Sequence, residues 1–208
     1  MEKIKSSLSN MILVLVGVAL IVGAILAYVN HITEEPIRAK AEQTLAEGIK
    51  KVMGSSDITV AAPEVVEEEI DGKPFSFTIH KVNNAAGQSI GSAVESATMG
   101  FGGELKVLVG FDANGCILGY TILSTSETPG LGMKAGTWFQ KGSKGSIIGL
   151  NPKDGELHVS KDDKTGNAID AITASTITSR AFLKAINQAY KVYMKHNQKE
   201  SQTKQERR

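Results

Sequence analysis

The sequence predicts an α+β domain that follows a single N-terminal transmembrane helix. Three observations support this fold class: an uncharged apolar run near the N-terminus, a central series of strand-like segments separated by turns, and an amphipathic helical stripe near the C-terminus. Strands that follow one another and are closed by a helix favour an α+β arrangement over a doubly wound parallel sheet. The 208 residues are enough for one domain and an anchor.

Composition excludes several classes of protein. The chain has 23 Lys and Arg against 22 Asp and Glu, a net charge of +1, so it lacks the basic character of a nucleic-acid-binding protein and we expect no such partner. Its single cysteine, Cys116, allows no intrachain disulfide and no iron–sulfur cluster. We expect Cys116 to be a small buried hydrophobe, and we expect no metal site.

The first element is an apolar run of 19 residues, Met11 to Val29. As a helix it spans about 28 Å, which matches the hydrocarbon thickness of a bilayer. A cleaved signal peptide is the alternative, but its apolar core is shorter and ends at a small-x-small site, which Tyr28 to His31 does not provide. We therefore predict an uncleaved anchor in contact with membrane lipid.

Charged residues around the anchor predict its orientation. Lys3 and Lys5 precede the run, Glu34 and Glu35 follow it, and Arg38 is the first basic residue after it. Because positive residues favour the cytoplasmic side, the N-terminus is expected in the cytoplasm. We accordingly expect a single-pass protein of the bacterial inner membrane with its folded domain on the periplasmic side.

A helix and a loop are predicted to connect the anchor to the domain. Thr33 is a candidate cap and Pro36 suits the first turn of a helix. The helix is expected to end near Gly54, because apolar residues recur at helical spacing up to that point at Ile37, Ala41, Leu45, Ile49 and Val52. Residues 55–72 are acidic and contain proline, which predicts a loop or an irregular edge.

Strands are predicted from Phe75 onward. Residues 75–80 alternate between apolar and polar side chains, which is the period of a strand, and residues 89–96 are a weaker candidate. Residues 105–111 and 116–124 are separated by a segment containing Asn-Gly, a hairpin signal. A short strand is expected at residues 157–160.

The last predicted element is a helix from about Ser179 to Lys195. Its apolar side chains fall on one stripe, formed by Phe182, Ala185, Ile186, Ala189, Tyr190 and Tyr193. Beyond His196 the chain is polar and charged, and we expect it to be frayed or disordered. The predicted organisation is a cytoplasmic N-terminus (1–10), the anchor (11–29), the connecting helix and loop (30–72), the domain (73–195) and a polar tail (196–208).

Three segments carry the candidate chemistry. Residues 170–179, Asp-Ala-Ile-Thr-Ala-Ser-Thr-Ile-Thr-Ser, place five hydroxyl residues within seven positions just before the final helix. Hydroxyls at a helix start bind phosphate, although such residues are also ordinary helix caps. Residues 127–132, Glu-Thr-Pro-Gly-Leu-Gly, are by composition a Pro-Gly turn. Residues 100–103, Gly-Phe-Gly-Gly, precede a strong strand.

Together these segments resemble the FMN-binding domain family, in the expected order. Residues 170–178 resemble the family's flavinylation motif, D-x-x-[ST]-G-A-T-x-[ST], with Ala174 in place of Gly and Ser175 in place of Ala. Residues 127–132 match E-T-P-G-L-G, and residues 100–103 resemble G-Y-x-G. The family includes the G subunit of the Rnf electron-transport complex and the C subunit of the sodium-pumping NADH:quinone reductase.

The resemblance implies a flavin site. Thr176 would be esterified to the FMN phosphate, with Ser175 as a competing hydroxyl, and Asp170 and Thr173 would be recognised by a separate flavin transferase. The flavin would contact Glu127, Thr128, Gly130, Leu131, Gly132, Lys134, Thr173, Ala174, Ser175, Ile177 and Thr178.

Several of these roles have alternatives. Glu127 would either touch the flavin or hold the loop by accepting backbone hydrogen bonds. Lys134 would be a counter-charge to the phosphate or an exposed lysine. Trp138 and Phe139 would line the flavin or, as we expect, pack in the core.

The function implied by the resemblance is electron transfer within a membrane ion-translocating oxidoreductase. The short chain favours the Rnf G subunit, in a complex that couples reduced ferredoxin and NAD to sodium or proton export. The C-type subunit of a sodium-translocating NADH:quinone reductase and a non-redox anchored assembly domain are alternatives. No residue is expected to be catalytic by itself, because the four histidines form no triad pattern with a nucleophile.

Overall fold

The computed structural model describes residues 8–70 and 72–206, and the chain divides into two units, one up to Thr44 and one from Leu45 onward. A single long helix, α1 (Leu8–Met53), runs through the first unit and ends in the second. By length and composition this helix is able to cross a membrane, and its apolar side chains in the predicted span are exposed. Lys3 and Lys5, on which the predicted orientation depends, lie outside the described residues.

The predicted start of a separate helix at Thr33 and Pro36 is wrong. Pro36 lies inside α1, and the Thr33 hydroxyl donates to the Val29 carbonyl at 2.7 Å instead of capping a new helix. Proline removes one backbone donor from a helix, but the sequence on both sides of it here is helical. The predicted end is confirmed, because Gly54 follows the last helical residue with a φ of +65°, the usual left-handed stop.

The second unit is built on an antiparallel sheet of six strands. The strands are β1 (Ile58–Val60), β2 (Glu64–Ile70), β3 (Lys73–Asn84), β4 (Ser89–Met99), β5 (Glu104–Asp112) and β6 (Ile117–Thr125). Strands β3 to β6 pair in chain order, and both β1 and β2 pair with β3. Together with its helices this sheet forms an α+β domain, as the sequence predicts.

Residues 55–72 are not a loop, because they contain β1 and β2, which pair with β3 at the edge of the sheet. Exposed and half-buried residues alternate along the second half of β2, and Val66, Glu68 and Ile70 are the half-buried ones. Lys195 contacts the Glu68 carboxylate at 2.5 Å and His196 contacts that of Glu64 at 2.8 Å. The run of glutamates therefore belongs to a strand that pairs with the long β3 and binds basic side chains.

The two faces of the sheet are covered by different helices. On one face, Ile49 and Val52 of α1 pack with Val82, Ala93 and Leu108. The approach is close: a Cβ at Gly110 or Gly119 would lie 2.8 or 2.7 Å from the Val52 carbonyl oxygen. The other face carries the larger core and packs against α3 (Thr176–Glu206).

Helix α3 is longer than predicted at both ends. It begins at Thr176 instead of Ser179 and runs to Glu206, so the expected frayed tail is wrong for residues 196–206. The contacts of Lys195 and His196 with β2 stabilise the part of the helix that follows the last residue of its apolar stripe, Tyr193. Residues 207–208 of the predicted tail lie outside the described residues.

The remaining elements are short. Helix α2 (Ala135–Trp138) follows a single 3-10 turn at Gly132–Lys134, and β7 (His158–Val159) pairs in parallel with β8 (Ala168–Ile169). The predicted strand at residues 157–160 is therefore present as β7. Cys116 is half-buried instead of fully buried, just before β6, and its Sγ lies 3.8 Å from Asn151 Nδ2.

Candidate functional site

The three segments singled out in the sequence meet at one cleft. Its volume is about 440 Å³, within the range of small-molecule sites. The cleft is lined by Phe101, by Glu127, Thr128, Leu131 and Gly132, and by Ala174, Ser175, Thr176, Ile177 and Thr178. The loop after β4, the loop after β6 and the start of α3 thus each contribute one wall.

The wall at the start of α3 is a fixed turn. The Ser179 hydroxyl accepts a hydrogen bond from the Ile172 N–H at 3.0 Å and donates one to the Ser175 carbonyl at 2.9 Å. Ser179 N–H also bonds to the Ser175 carbonyl at 3.0 Å. Ser179 is therefore structural, and the first N–H groups of α3, those of residues 176–178, are the ones that lack partners within a helix.

Ala174 has an unusual backbone in this turn. Its φ is +61°, and among the described residues it is the one non-glycine residue with a positive φ. A side chain with a Cβ is disfavoured in this region, whereas glycine adopts it freely. Ala174, which stands where the motif that this segment resembles has glycine, therefore adopts a conformation that glycine favours.

The hydroxyl groups differ in accessibility. Thr176 is half-buried on the cleft wall, Ser175 is only 9% exposed, and Thr173 is exposed but does not line the cleft. Thr176 Oγ1 lies 3.5 Å from the Lys161 ammonium nitrogen. Of the two competing hydroxyls, Thr176 is the more accessible from the cleft.

Thr178 provides an independent sign of a ligand. The residue is 1% exposed and lines the cleft, and its hydroxyl has no hydrogen-bond partner in the described part of the chain. An unpartnered buried hydroxyl costs about 1–3 kcal/mol, so such groups are normally satisfied by protein, water or ligand. A polar atom of a bound cofactor would satisfy it, and the residues present therefore fit a phosphate-bearing ligand at this end.

Glu127 joins two walls of the cleft. It is 5% exposed, and its Oε1 accepts a hydrogen bond from the Phe101 N–H at 2.7 Å. A Cβ at Gly100 would lie 2.1 Å from Oε1, and one at Gly132 would lie 2.4 Å from Oε2. A side chain at either glycine would displace the carboxylate. The hydrogen bond from Phe101 N–H ties the loop after β6 to the loop after β4, in line with the second role considered for Glu127.

Other predicted residues lie away from the cleft wall. Gly130, Lys134 and Thr173 do not line it, and Lys134 is an exposed residue of the 3-10 turn. Asp170 accepts a hydrogen bond from Ser160 Oγ at 2.9 Å, and its carbonyl accepts one from Trp138 Nε1 at 2.8 Å.

The preference for core packing at residues 138 and 139 is supported. Phe139 is fully buried and stacks on Phe182, with ring centroids 4.4 Å apart. Trp138 packs half-buried against this core and does not line the cleft.

Two residues of the site are absent from the cofactor contacts predicted from sequence. Phe101 lines the cleft and is 71% exposed. The Gly-Phe-Gly-Gly segment that contains it is the sequence feature from which it could have been predicted. Lys161 lies in a turn between two strands of two residues each, where no periodic pattern marks it. Among the described residues, no cluster of three His, Cys, Asp or Glu side chains is placed to hold a metal ion.

Comparisons with known proteins agree with this geometry. The family model of the FMN-binding domain matches residues 100–191, which include all three walls. The G subunit of the Na⁺-translocating ferredoxin:NAD⁺ oxidoreductase complex of Acetobacterium woodii is 32% identical over 87% of this chain and 89% of its own. The G subunits of the ion-translocating oxidoreductase complexes of Aliivibrio fischeri and Shewanella piezotolerans are 30% and 29% identical, over 94% and 87% of this chain and 93% and 87% of theirs. The chain therefore belongs to the FMN-binding domain family and is related over most of its length to the G subunits of ion-translocating oxidoreductase complexes.

Proposed function

We propose that the chain is the electron-carrying G-type subunit of a membrane ion-translocating oxidoreductase of the ferredoxin:NAD type. The observation that carries this proposal is the cleft in which all three segments meet, with the Thr176 hydroxyl on its wall at the start of α3. The relatives named above, which match most of the chain, favour the G-type subunit over the C-type subunit of an NADH:quinone reductase.

FMN is the proposed cofactor, attached through its phosphate to Thr176. Exposed Phe101, Leu131 and Ile177 give the cleft the apolar surface that an isoalloxazine ring needs. The start of α3 suits the phosphate, because free N–H groups and the helix dipole favour an anion there. Bound FMN supplies the redox chemistry, while the protein positions it and excludes other reactions.

Covalent attachment serves retention. A tether keeps the cofactor at high effective concentration without changing the ring. This matters most if the domain lies outside the cytoplasmic membrane, where lost FMN is not replaced. We therefore place α1 in the bacterial inner membrane in contact with lipid, the domain on the periplasmic side, and the chain in contact with other subunits of its complex. A separate flavin transferase, recognising Asp170 and Thr173, would load it.

The alternative of a domain without flavin is less well supported. Its basis is the replacement of Gly by Ala at position 174 and of Ala by Ser at position 175. Ala174 nevertheless adopts the left-handed conformation and Ser175 is buried in the turn, so neither change removes the cleft.

The requirement for Thr176 in electron transfer is tested in membranes of the native host. We expect Thr176→Ala to abolish transfer from reduced ferredoxin to NAD⁺ while the chain remains in the purified complex. Thr137→Ala, which makes the same change at an exposed threonine that does not line the cleft, is the matched control and should retain the activity. Full activity in Thr176→Ala would contradict the proposal.

A further inference from the structure

Lys161 lies beside the proposed attachment point. Its ammonium nitrogen is 3.5 Å from Thr176 Oγ1, although the two residues are 15 positions apart in the chain. Lys161 comes from the turn that follows β7, and its side chain is exposed to solvent. The contact places a positive charge next to the oxygen that would carry the phosphate.

The position of Lys161 is fixed on both sides. Its predecessor, Ser160, donates a hydrogen bond to the Asp170 carboxylate at 2.9 Å. Its successor, Asp162, accepts two hydrogen bonds from Arg180, at 2.7 Å from Nε and 2.5 Å from a terminal nitrogen. Asp170 and Arg180 lie on either side of the hydroxyl residues 173–179. The turn that carries Lys161 is therefore hydrogen-bonded to both ends of that segment.

The other nearby cations are less suitable. The hydrogen bonds from Arg180 hold the pKa of Asp162 below its ordinary value, so this pair stays ionised and the guanidinium is engaged. Lys134, the counter-charge considered from the sequence, does not line the cleft. In the described part of the chain, Lys161 is therefore the cation for which a contact with Thr176 is seen.

We propose that Lys161 binds the phosphate of the flavin at Thr176 and sets the preference of the cleft for a phosphorylated flavin. This inference rests on the proposed function. The ammonium group would contact the phosphate oxygens from one side, and the first N–H groups of α3 and the unpartnered Thr178 hydroxyl would contact the cofactor from the other.

Loading of the full chain by a flavin transferase tests this role. Covalent FMN is followed by mass in wild type, Lys161→Met, Lys161→Arg and Lys164→Met at limiting transferase. We expect Lys161→Met to load about tenfold more slowly, because it loses a charge-assisted hydrogen bond. Lys161→Arg should recover most of the rate. Lys164→Met, an exposed lysine of the same turn, should match wild type. An unchanged rate in Lys161→Met would overturn the proposal.

Binding without a covalent bond separates recognition from structural damage. In the Thr176→Ala chain, affinities for FMN and riboflavin are measured by quenching of flavin fluorescence. Adding Lys161→Met should reduce the FMN to riboflavin affinity ratio about tenfold, because only FMN carries the phosphate. A loss of both affinities by the same factor would show a structural role and overturn the inference. Wild-type chain that takes up no flavin would instead refute the proposed function itself.

Discussion

Ala174 lines the cleft in a backbone conformation that alanine disfavours. A left-handed residue precedes α3, whose first residues line the cleft, and alanine holds this turn against its own steric preference. The hydroxyl residues of segment 170–179 were enough to predict this part of the site from the sequence. The strain itself was not predictable, because it depends on how Ile172, Ser175 and Ser179 bond to one another.

Replacement of Ala174 by glycine should stabilise the domain. Removing the Cβ relieves the left-handed strain, and the greater freedom of glycine in the unfolded chain offsets part of the gain, leaving about 0.5–1 kcal/mol. Urea unfolding of the full chain in detergent measures the difference. Ala86→Gly, in an exposed turn without positive φ, should instead lower the free energy of unfolding. A loss of stability in Ala174→Gly would contradict the strain assigned to this residue.

Elements differ in how well local sequence predicts them. Strands β3 to β6 and helix α3 were predicted because their periodicity is local. Strands β1 and β2 were missed because their stability comes from pairing with β3 and, for β2, from basic residues at the far end of α3. The same contacts explain the unexpected length of α3. The contact of Lys161 with Thr176 was not predicted for a related reason, because only tertiary contacts bring its turn next to Thr176.

A polar cluster around the buried Glu95 links three strands of the sheet. His80 of β3 lies 2.7 Å and Lys106 of β5 lies 2.6 Å from the carboxylate of Glu95 on β4. Burial raises the pKa of Glu95, but the hydrogen bonds from His80 and Lys106 together outweigh it and leave the pKa below its ordinary value of 4.5. Ionised Glu95 therefore contributes stability above that value, and the contribution is lost as the pH falls through the lower folded pKa.

Glu95→Gln should therefore reduce stability most at neutral pH. Loss of the charge leaves His80 and Lys106 without their anion, which we expect to cost about 2 kcal/mol at pH 7 after allowance for the partly exposed Lys106. Urea unfolding of variant and wild type between pH 3 and 7 should show the difference shrinking as the pH falls from about 4.5, where Glu95 of the unfolded chain protonates, toward the lower pKa of the folded state. A difference independent of pH would show that the ionised carboxylate is not the stabilising form.

At the scale of the whole molecule, the chain combines a membrane-length helix with a domain that carries the cleft. We expect the domain to lie on the periplasmic side. Protease added to spheroplasts should then digest the domain while a cytoplasmic marker protein remains intact. Protection of the domain until the membrane is permeabilised would reverse the orientation.

Covalent FMN on Thr176 is tested most directly by peptide mapping of protein purified from its native host. Trypsin releases the segment from Thr165 to Arg180, which contains every candidate hydroxyl of the motif. We expect this peptide to carry the mass of FMN less one water, and fragmentation should place the adduct on Thr176. An unmodified peptide from cells with an active flavin transferase, or an adduct on Ser175, would contradict the assignment.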